Sequence, residues 1–354
     1  MRFPLVRPPR LSASVLLGLL LLPFTSARAD LVWNAQTGWN IEGGAFSGLS
    51  GEEGRNALAL MNEARRAEED GRLRHAAKVY EKVALKYPNS IYSPEALYRA
   101  AHAFLLRKEY YRSFGDFQGV LNRYPNTKRF DEIIGEEYHI ASALLDGARN
   151  RILWGLMPGF TGKERAIGYF ETLLQNAPYS DYAPLALMNV ANAYLKQKDW
   201  EAAIDALDRM INNYPQSLLA PDAYLKLAQA NRDLVDGPYY DQSATRDAIT
   251  YFEDYMILFP NDPNVPVAEK GRADMKTVLA QSKIKMADFY FYKRSNYVAA
   301  RVFYNEAITA YPDSEVAALA RKRLAEVEAK AAGKPVPAEA PAAGPKKKKP
   351  FWLF

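Results

Sequence analysis

The sequence predicts an all-α fold: a superhelical array of about six helical hairpins closed by a C-terminal capping helix. Two regularities predict it. First, a proline junction recurs six times, as Tyr87-Pro88-Asn-Ser90, Tyr124-Pro125-Asn-Thr127, Ala177-Pro178-Tyr-Ser180, Tyr214-Pro215-Gln-Ser217, Phe259-Pro260-Asn-Asp262 and Tyr311-Pro312-Asp-Ser314. Second, twelve residues before each proline stands a small side chain (Ala76, Ser113, Ala166, Ala203, Ala248, Ala300), and eight before it a large apolar one (Tyr80, Phe117, Phe170, Leu207, Phe252, Tyr304). Residues four apart lie on the same helix face. The small residue therefore admits a neighbouring helix, and the large one fills the space beside it. Proline cannot continue a helix, and the residue before it is pushed out of helical geometry. The Ser, Thr or Asp two positions on is placed to cap the next helix. Each junction reads as stop, turn and restart.

The elements follow in chain order. Arg2, Arg7 and Arg10 precede the apolar stretch Val15–Phe24, and Ala27-Arg28-Ala29 meets the small-x-small rule. Residues 1–29 therefore read as a cleaved secretory signal, cut before Asp30. Residues 30–54 are Gly-rich with Trp33 and Trp39, and are expected to be extended and packed along the first repeat. Residues 55–333 form the repeat domain. Its clearest hairpin is Ala183–Tyr214, with Leu187, Val190, Ala191 and Tyr194 on one helix, Trp200, Ala203, Leu207 and Met210 on the other, and Lys198-Asp199 at the turn.

The prolines are spaced by 37, 53, 37, 45 and 52 residues. The extra length is assigned to an inter-helix loop at Asn150–Gly162, a loop at Asp236–Ser243 and a long first helix over about Val267–Tyr292. Glu315–Ala331 is the predicted cap. Residues 334–354 form an Ala/Pro linker and a Lys-rich aromatic tail.

Composition excludes several chemistries. The 354 residues hold no cysteine and three histidines far apart in sequence, so thiolate zinc sites, thiol catalysis and a histidine metal site are not expected. The formal charge of +5 is carried by the ends: four arginines without an acid in residues 1–29, and Lys346, Lys347, Lys348 and Lys349 near the other terminus. A nucleic-acid-binding body is not supported. The stretch Gly155-Leu-Met-Pro-Gly159-Phe-Thr-Gly162-Lys163-Glu164 fails as a phosphate loop. Met157 stands where the first glycine belongs, and Glu164 where a magnesium-binding Ser or Thr is needed. Adjacent acids such as Glu68-Glu69 do not face one another on a helix and read as a solvated face. No catalytic constellation or cofactor site is predicted.

The hairpins resemble the tetratricopeptide repeat. In that family the first helices line a concave groove, which makes Met61, Arg65, Tyr98, His102 and Asn192 the candidate outward positions. They mix apolar and hydrogen-bonding groups, as an extended or helical peptide requires. The apolar insertion carrying Trp154, Leu156, Met157 and Phe160 reads either as a partner-binding tip or as a segment folded back over the hairpin it widens. Lys346–Lys349 followed by Phe351, Trp352 and Phe354 read either as a weak, tethered membrane or partner contact, or as a solubilising tail.

Two stretches resemble the BamD family of outer-membrane assembly lipoproteins: Ala287-Asp-Phe-Tyr-Phe-Tyr-Lys-Arg-Ser-Asn-Tyr-Val-Ala-Ala300 through Ser314, and His75-Ala76-Ala77 through Ser90. The resemblance implies a non-enzymatic scaffold in the periplasm, at the inner face of the outer membrane. It would bind the outer-membrane barrel-assembly protein through its C-terminal repeats and meet unfolded outer-membrane protein segments at its N-terminal groove. The chain departs from the family in lacking the lipidated cysteine, and Tyr124–Asp131 lacks the family's His-Pro sequence. A different periplasmic adaptor, for envelope constriction or cell-wall synthesis, remains the second reading.

Overall fold

The computed structural model describes residues 30–42, 52–153 and 157–333. Thirteen α-helices and two small β-hairpins occupy them. The chain divides into two compact units. One is formed by residues up to Ile133 together with Arg149–Thr161. The other is formed by Ile134–Ala148 and the residues from Gly162 onward.

In the first unit, β1 (Asp30–Asn34) and β2 (Gly38–Glu42) pair antiparallel, with Trp33 opposite Trp39. Helices α1 (Glu52–Glu69) and α2 (Leu73–Lys86) form the first hairpin, and α3 (Ser93–Leu106) and α4 (Tyr110–Arg123) the second. Helix α5 (Phe130–Leu145) begins in this unit. Strands β3 (Arg149–Ile152) and β4 (Met157–Thr161) also belong to it.

The second unit holds α6 (Lys163–Asn176), α7 (Tyr182–Gln197), α8 (Trp200–Asn213), α9 (Ala220–Asp233) and α10 (Ser243–Leu258). It continues with α11 (Val265–Asp288), a π-helical turn over Phe289–Lys293, α12 (Tyr297–Ala310) and α13 (Glu315–Ala331). The long first helix expected before the last junction is therefore α11 plus the π turn, and the final helix has the predicted bounds.

The two repeated positions are the core. All six small residues and all six large ones are fully buried. At Phe252 the approach is tight, because a Cβ on Gly271 of α11 would lie 2.4 Å from the ring. The junctions share one geometry. In each, the backbone N–H two residues after the proline donates to the carbonyl of the residue before it, from Ser90 to Tyr87 at 2.9 Å through Ser314 to Tyr311 at 3.3 Å. This is a β-turn with proline at its second position. Neighbouring junctions are stitched together by Tyr124, whose hydroxyl donates to the Pro88 carbonyl at 2.8 Å, and by Tyr214, which donates to that of Pro178 at 2.6 Å.

Three expectations change. Of the junction residues expected to cap, only Ser314 does so, its Oγ accepting from Ala317 N–H at 3.1 Å. Ser90, Thr127, Ser217 and Asp262 instead accept from the N–H two residues on, because the next helix starts later and the side chain closes a local turn first. The Gly/Trp segment is a β-hairpin over residues 30–42 rather than merely extended. The insertion of the third repeat is likewise a β-hairpin rather than a loop.

Candidate functional site

Helices α1 and α3 and the start of α5 carry a continuous chain of alternating charge. It begins on α1, where Arg65 donates to Glu69 at 3.1 Å and to Glu68 at 3.2 Å. Glu68 also accepts from Arg99 on α3 at 3.3 Å and from the Tyr80 hydroxyl at 2.9 Å. Arg99 reaches Glu95 at 2.8 Å, one turn back on its own helix. Glu95 in turn receives two bonds from Arg129, at 2.6 and 3.0 Å. Arg129 donates to Glu132 at 2.6 Å, and Glu132 accepts from the Tyr98 hydroxyl. The partners are mostly shielded, with Glu95 14% and Glu68 17% exposed at the side chain, so these pairs exceed ordinary surface salt bridges in strength. The phenol of Tyr80 is pushed well up by burial and by the Glu68 charge. Glu132 is held below the usual carboxylate range: burial works against this, and the Tyr98 hydroxyl and Arg129 outweigh it.

The N-terminal hairpin covers this ladder. The Arg65 guanidinium lies 5.0 Å from the centre of the Trp33 ring, and that of Arg99 4.7 Å from Trp39. Such stacking leaves the guanidinium edges free for carboxylates. Trp39 is 3% exposed and shares a buried cluster with Met61, Ala64, Ala96 and Ala100. Its backbone N–H donates to Asn62 Oδ1 at 3.0 Å. Beside the hairpin a cleft of about 530 Å³ opens between Leu31, Val32, Ile91, Pro94 and the Asn126–Arg129 turn.

The predicted groove residues have different fates. Met61 does not face outward: it is fully buried, because the Trp39 hairpin closes over that face of α1. Tyr98 is also buried, at 7%, beneath the Arg129 guanidinium at 4.3 Å. Arg65 belongs to the ladder. His102 is half-buried and stacks on Tyr98 with ring centres 6.3 Å apart. Asn192 is half-buried on α7, in the other unit. Glu68, read as part of a solvated face, instead joins three partners. The spacings Arg65–Glu69 and Glu95–Arg99 were visible as one-turn pairs. The bonds between helices were not, since they depend on which faces meet.

At the third-repeat insertion, Met157 is 51% and Phe160 91% exposed. Trp154 and Leu156 lie outside the described residues, as do residues 1–29 and Lys346, Lys347, Lys348, Lys349, Phe351, Trp352 and Phe354. Among the described residues no helix is long and apolar enough to cross a membrane, and no group of three His, Asp or Glu side chains converges as a metal site.

Residues 162–334 match the model of the YfiO family, described as an outer membrane lipoprotein. Among curated proteins, the outer membrane protein assembly factor BamD of Xylella fastidiosa strain 9a5c is 27% identical over 155 residues, which is 41% of this chain and 53% of that protein. The BamD of Pasteurella multocida is 28% identical over 161 residues, covering 43% and 62%. The chain spans just over half of the former and about three-fifths of the latter. Of solved structures, a tetratricopeptide repeat protein from Parabacteroides merdae aligns at 12% identity with a TM-score of 0.31, covering 78% of this chain and 100% of that one. Pseudomonas aeruginosa pilF aligns at 12% identity with a TM-score of 0.26, covering 77% and 100%. The chain is thus BamD-like, with the family match on residues 162–334, and the helices themselves carry the fold assignment.

Proposed function

We propose that this BamD-like chain is a non-enzymatic scaffold in outer-membrane protein assembly, held at the periplasmic side of the outer membrane once its signal is removed before Asp30. The observation that carries the reading is the match of residues 162–334, which cover α6 to α13, to an outer-membrane lipoprotein family. On this reading the C-terminal repeats receive the barrel-assembly protein. Incoming unfolded segments meet the α1–α3 face, with Asn192 of α7 and the Lys346–Phe354 tail as further contacts. The way Trp33 and Trp39 sit on arginines there supports a preference for aromatic-bearing extended chains. Such a chain would have to displace the resident hairpin or bind in the cleft beside it.

The test is capture of the chain, tagged ahead of the β1–β2 hairpin, from a detergent-solubilised envelope, followed by identification of what co-purifies. Enrichment of the barrel-assembly protein is the expected result. Division or cell-wall synthesis proteins in its place would overturn the assignment and favour the other periplasmic adaptor role.

A further inference from the structure

We propose that the cleft between α2 and α4 is a proton-linked binding site for a small carboxylate carried on an apolar chain, of which a medium-chain fatty acid is the simplest example. The cleft holds about 420 Å³, within the roughly 300–1,000 Å³ of small-molecule sites. Its base is apolar, formed by the buried Ala84 of α2 and Leu97 of α3. Gly119 lets α4 close on Leu97, since a Cβ there would lie 3.1 Å from Leu97 Cδ2. Leu85, 78% exposed, carries the apolar surface out to the lip. Around it stand Lys78, Lys82 and Arg123, all exposed and none in an ion pair among the described residues. Two acids line the cleft. Glu81 already accepts from Arg112 at 3.0 Å, and the other is Asp116.

Asp116 sets the chemistry. Its Oδ2 is buried and has no hydrogen-bond partner among the described residues. Burial and the Glu81 charge push the carboxyl up to about 7, against the partial pull of Arg112 and Arg123, and α3 adds no charged group to the lining. Below that value the wall of the cleft offers a carboxylic O–H donor beside three unpaired cations. A ligand carboxylate answers both at once. It accepts from the Asp116 O–H and neutralises the cationic rim, while its apolar chain lies along Leu85 and Leu97. A cationic ligand would be repelled by Lys78, Lys82 and Arg123, and an uncharged chain would leave them unanswered. An ionised Asp116 would repel the carboxylate, so above about pH 7 binding must take up one proton, and below it none. The proposal does not depend on the assembly role.

The test is calorimetric titration of the chain with sodium decanoate, kept below its micelle concentration, from about pH 6 to about pH 8.5, a range in which a carboxylate stays ionised. Decanoate is expected to bind about tenfold or more weakly at the upper end than at the lower. Asp116→Asn keeps a donor without a charge, so this variant should bind equally at both ends. Lys78→Gln with Lys82→Gln and Arg123→Gln should lower the affinity about tenfold or more, with an unchanged thermal midpoint. Decanol, with the same chain and no charge, should not displace decanoate. Absence of decanoate binding would overturn the proposal. So would a pH dependence that Asp116→Asn leaves in place, an affinity that the triple variant retains, or decanol binding as tightly as decanoate.

Discussion

Gly271→Ala is the sharpest test of the repeat packing. A methyl group at this position of α11 would stand 2.4 Å from Phe252 Cζ and 2.7 and 2.8 Å from the two adjacent ring carbons. Carbon atoms prefer about 3.5–4.0 Å, so ring and helix must separate by roughly 1 Å. The ring has nowhere to go, since Phe252 is fully buried among Leu225, Ala248, Tyr255, Ala268 and Met275. Overpacking of this kind costs up to about 3 kcal/mol. Replacing a helical glycine recovers about 1 kcal/mol of that, leaving a net loss of about 2 kcal/mol. The control is Gly168→Ala in α6, where nothing lies within 4 Å of the new methyl. That change should stabilise by about 0.5–1 kcal/mol through the same helix propensity. Thermal unfolding followed by far-ultraviolet circular dichroism should therefore show opposite signs, with Gly271→Ala falling by about 4–8 °C. Phe252→Leu should make Gly271→Ala less harmful than it is alone, in a double-mutant cycle. A Gly271→Ala midpoint equal to or above that of the unsubstituted chain would refute the close-approach argument.

Three further outcomes follow from single side chains. Burial, reinforced by Glu81 and only partly opposed by Arg112 and Arg123, pushes the Asp116 carboxyl up to about 7 from 3.8. The folded chain therefore holds one more proton than the unfolded chain between those values, and stability falls as pH rises across that window. Asp116→Asn should remove the fall, matching the parent near pH 4 and gaining about 1–2 kcal/mol above pH 7 by urea unfolding after allowance for solvent screening. Tyr304 is fully buried and donates to Asp288 at 2.6 Å, while Arg323 pairs with the same carboxylate. Tyr304→Phe should cost about 1.5–3 kcal/mol of unfolding free energy without opening a void. Asn150→Ala should raise the hydrogen-exchange rate of the Tyr111 amide about tenfold or more, since its acceptor is lost.

The sequence by itself determined the repeat. Proline must end a helix wherever it falls, and a small residue one turn before a large one marks a contact face whatever it faces. Positions such as Ala203 and Leu207, and the turn at Lys198-Asp199 (Lys198 φ +60°, Asp199 accepting from Ala202 N–H), were therefore readable before any coordinates. Local rules failed where partners are distant in sequence. Met61 lies on a face that is outward by its repeat position, yet a hairpin 22 residues away, through Trp39, buries it. Glu68 looked like one of two adjacent surface acids until α3 brought Arg99 against it. Asn150 gave no sign in the sequence that it would complete the first turn of α4, 39 residues earlier. A pattern of short period encodes which face of a helix is apolar. Which segment covers that face, and which charges become neighbours, is decided only when the chain closes on itself, because those energies belong to pairs of elements rather than to either one.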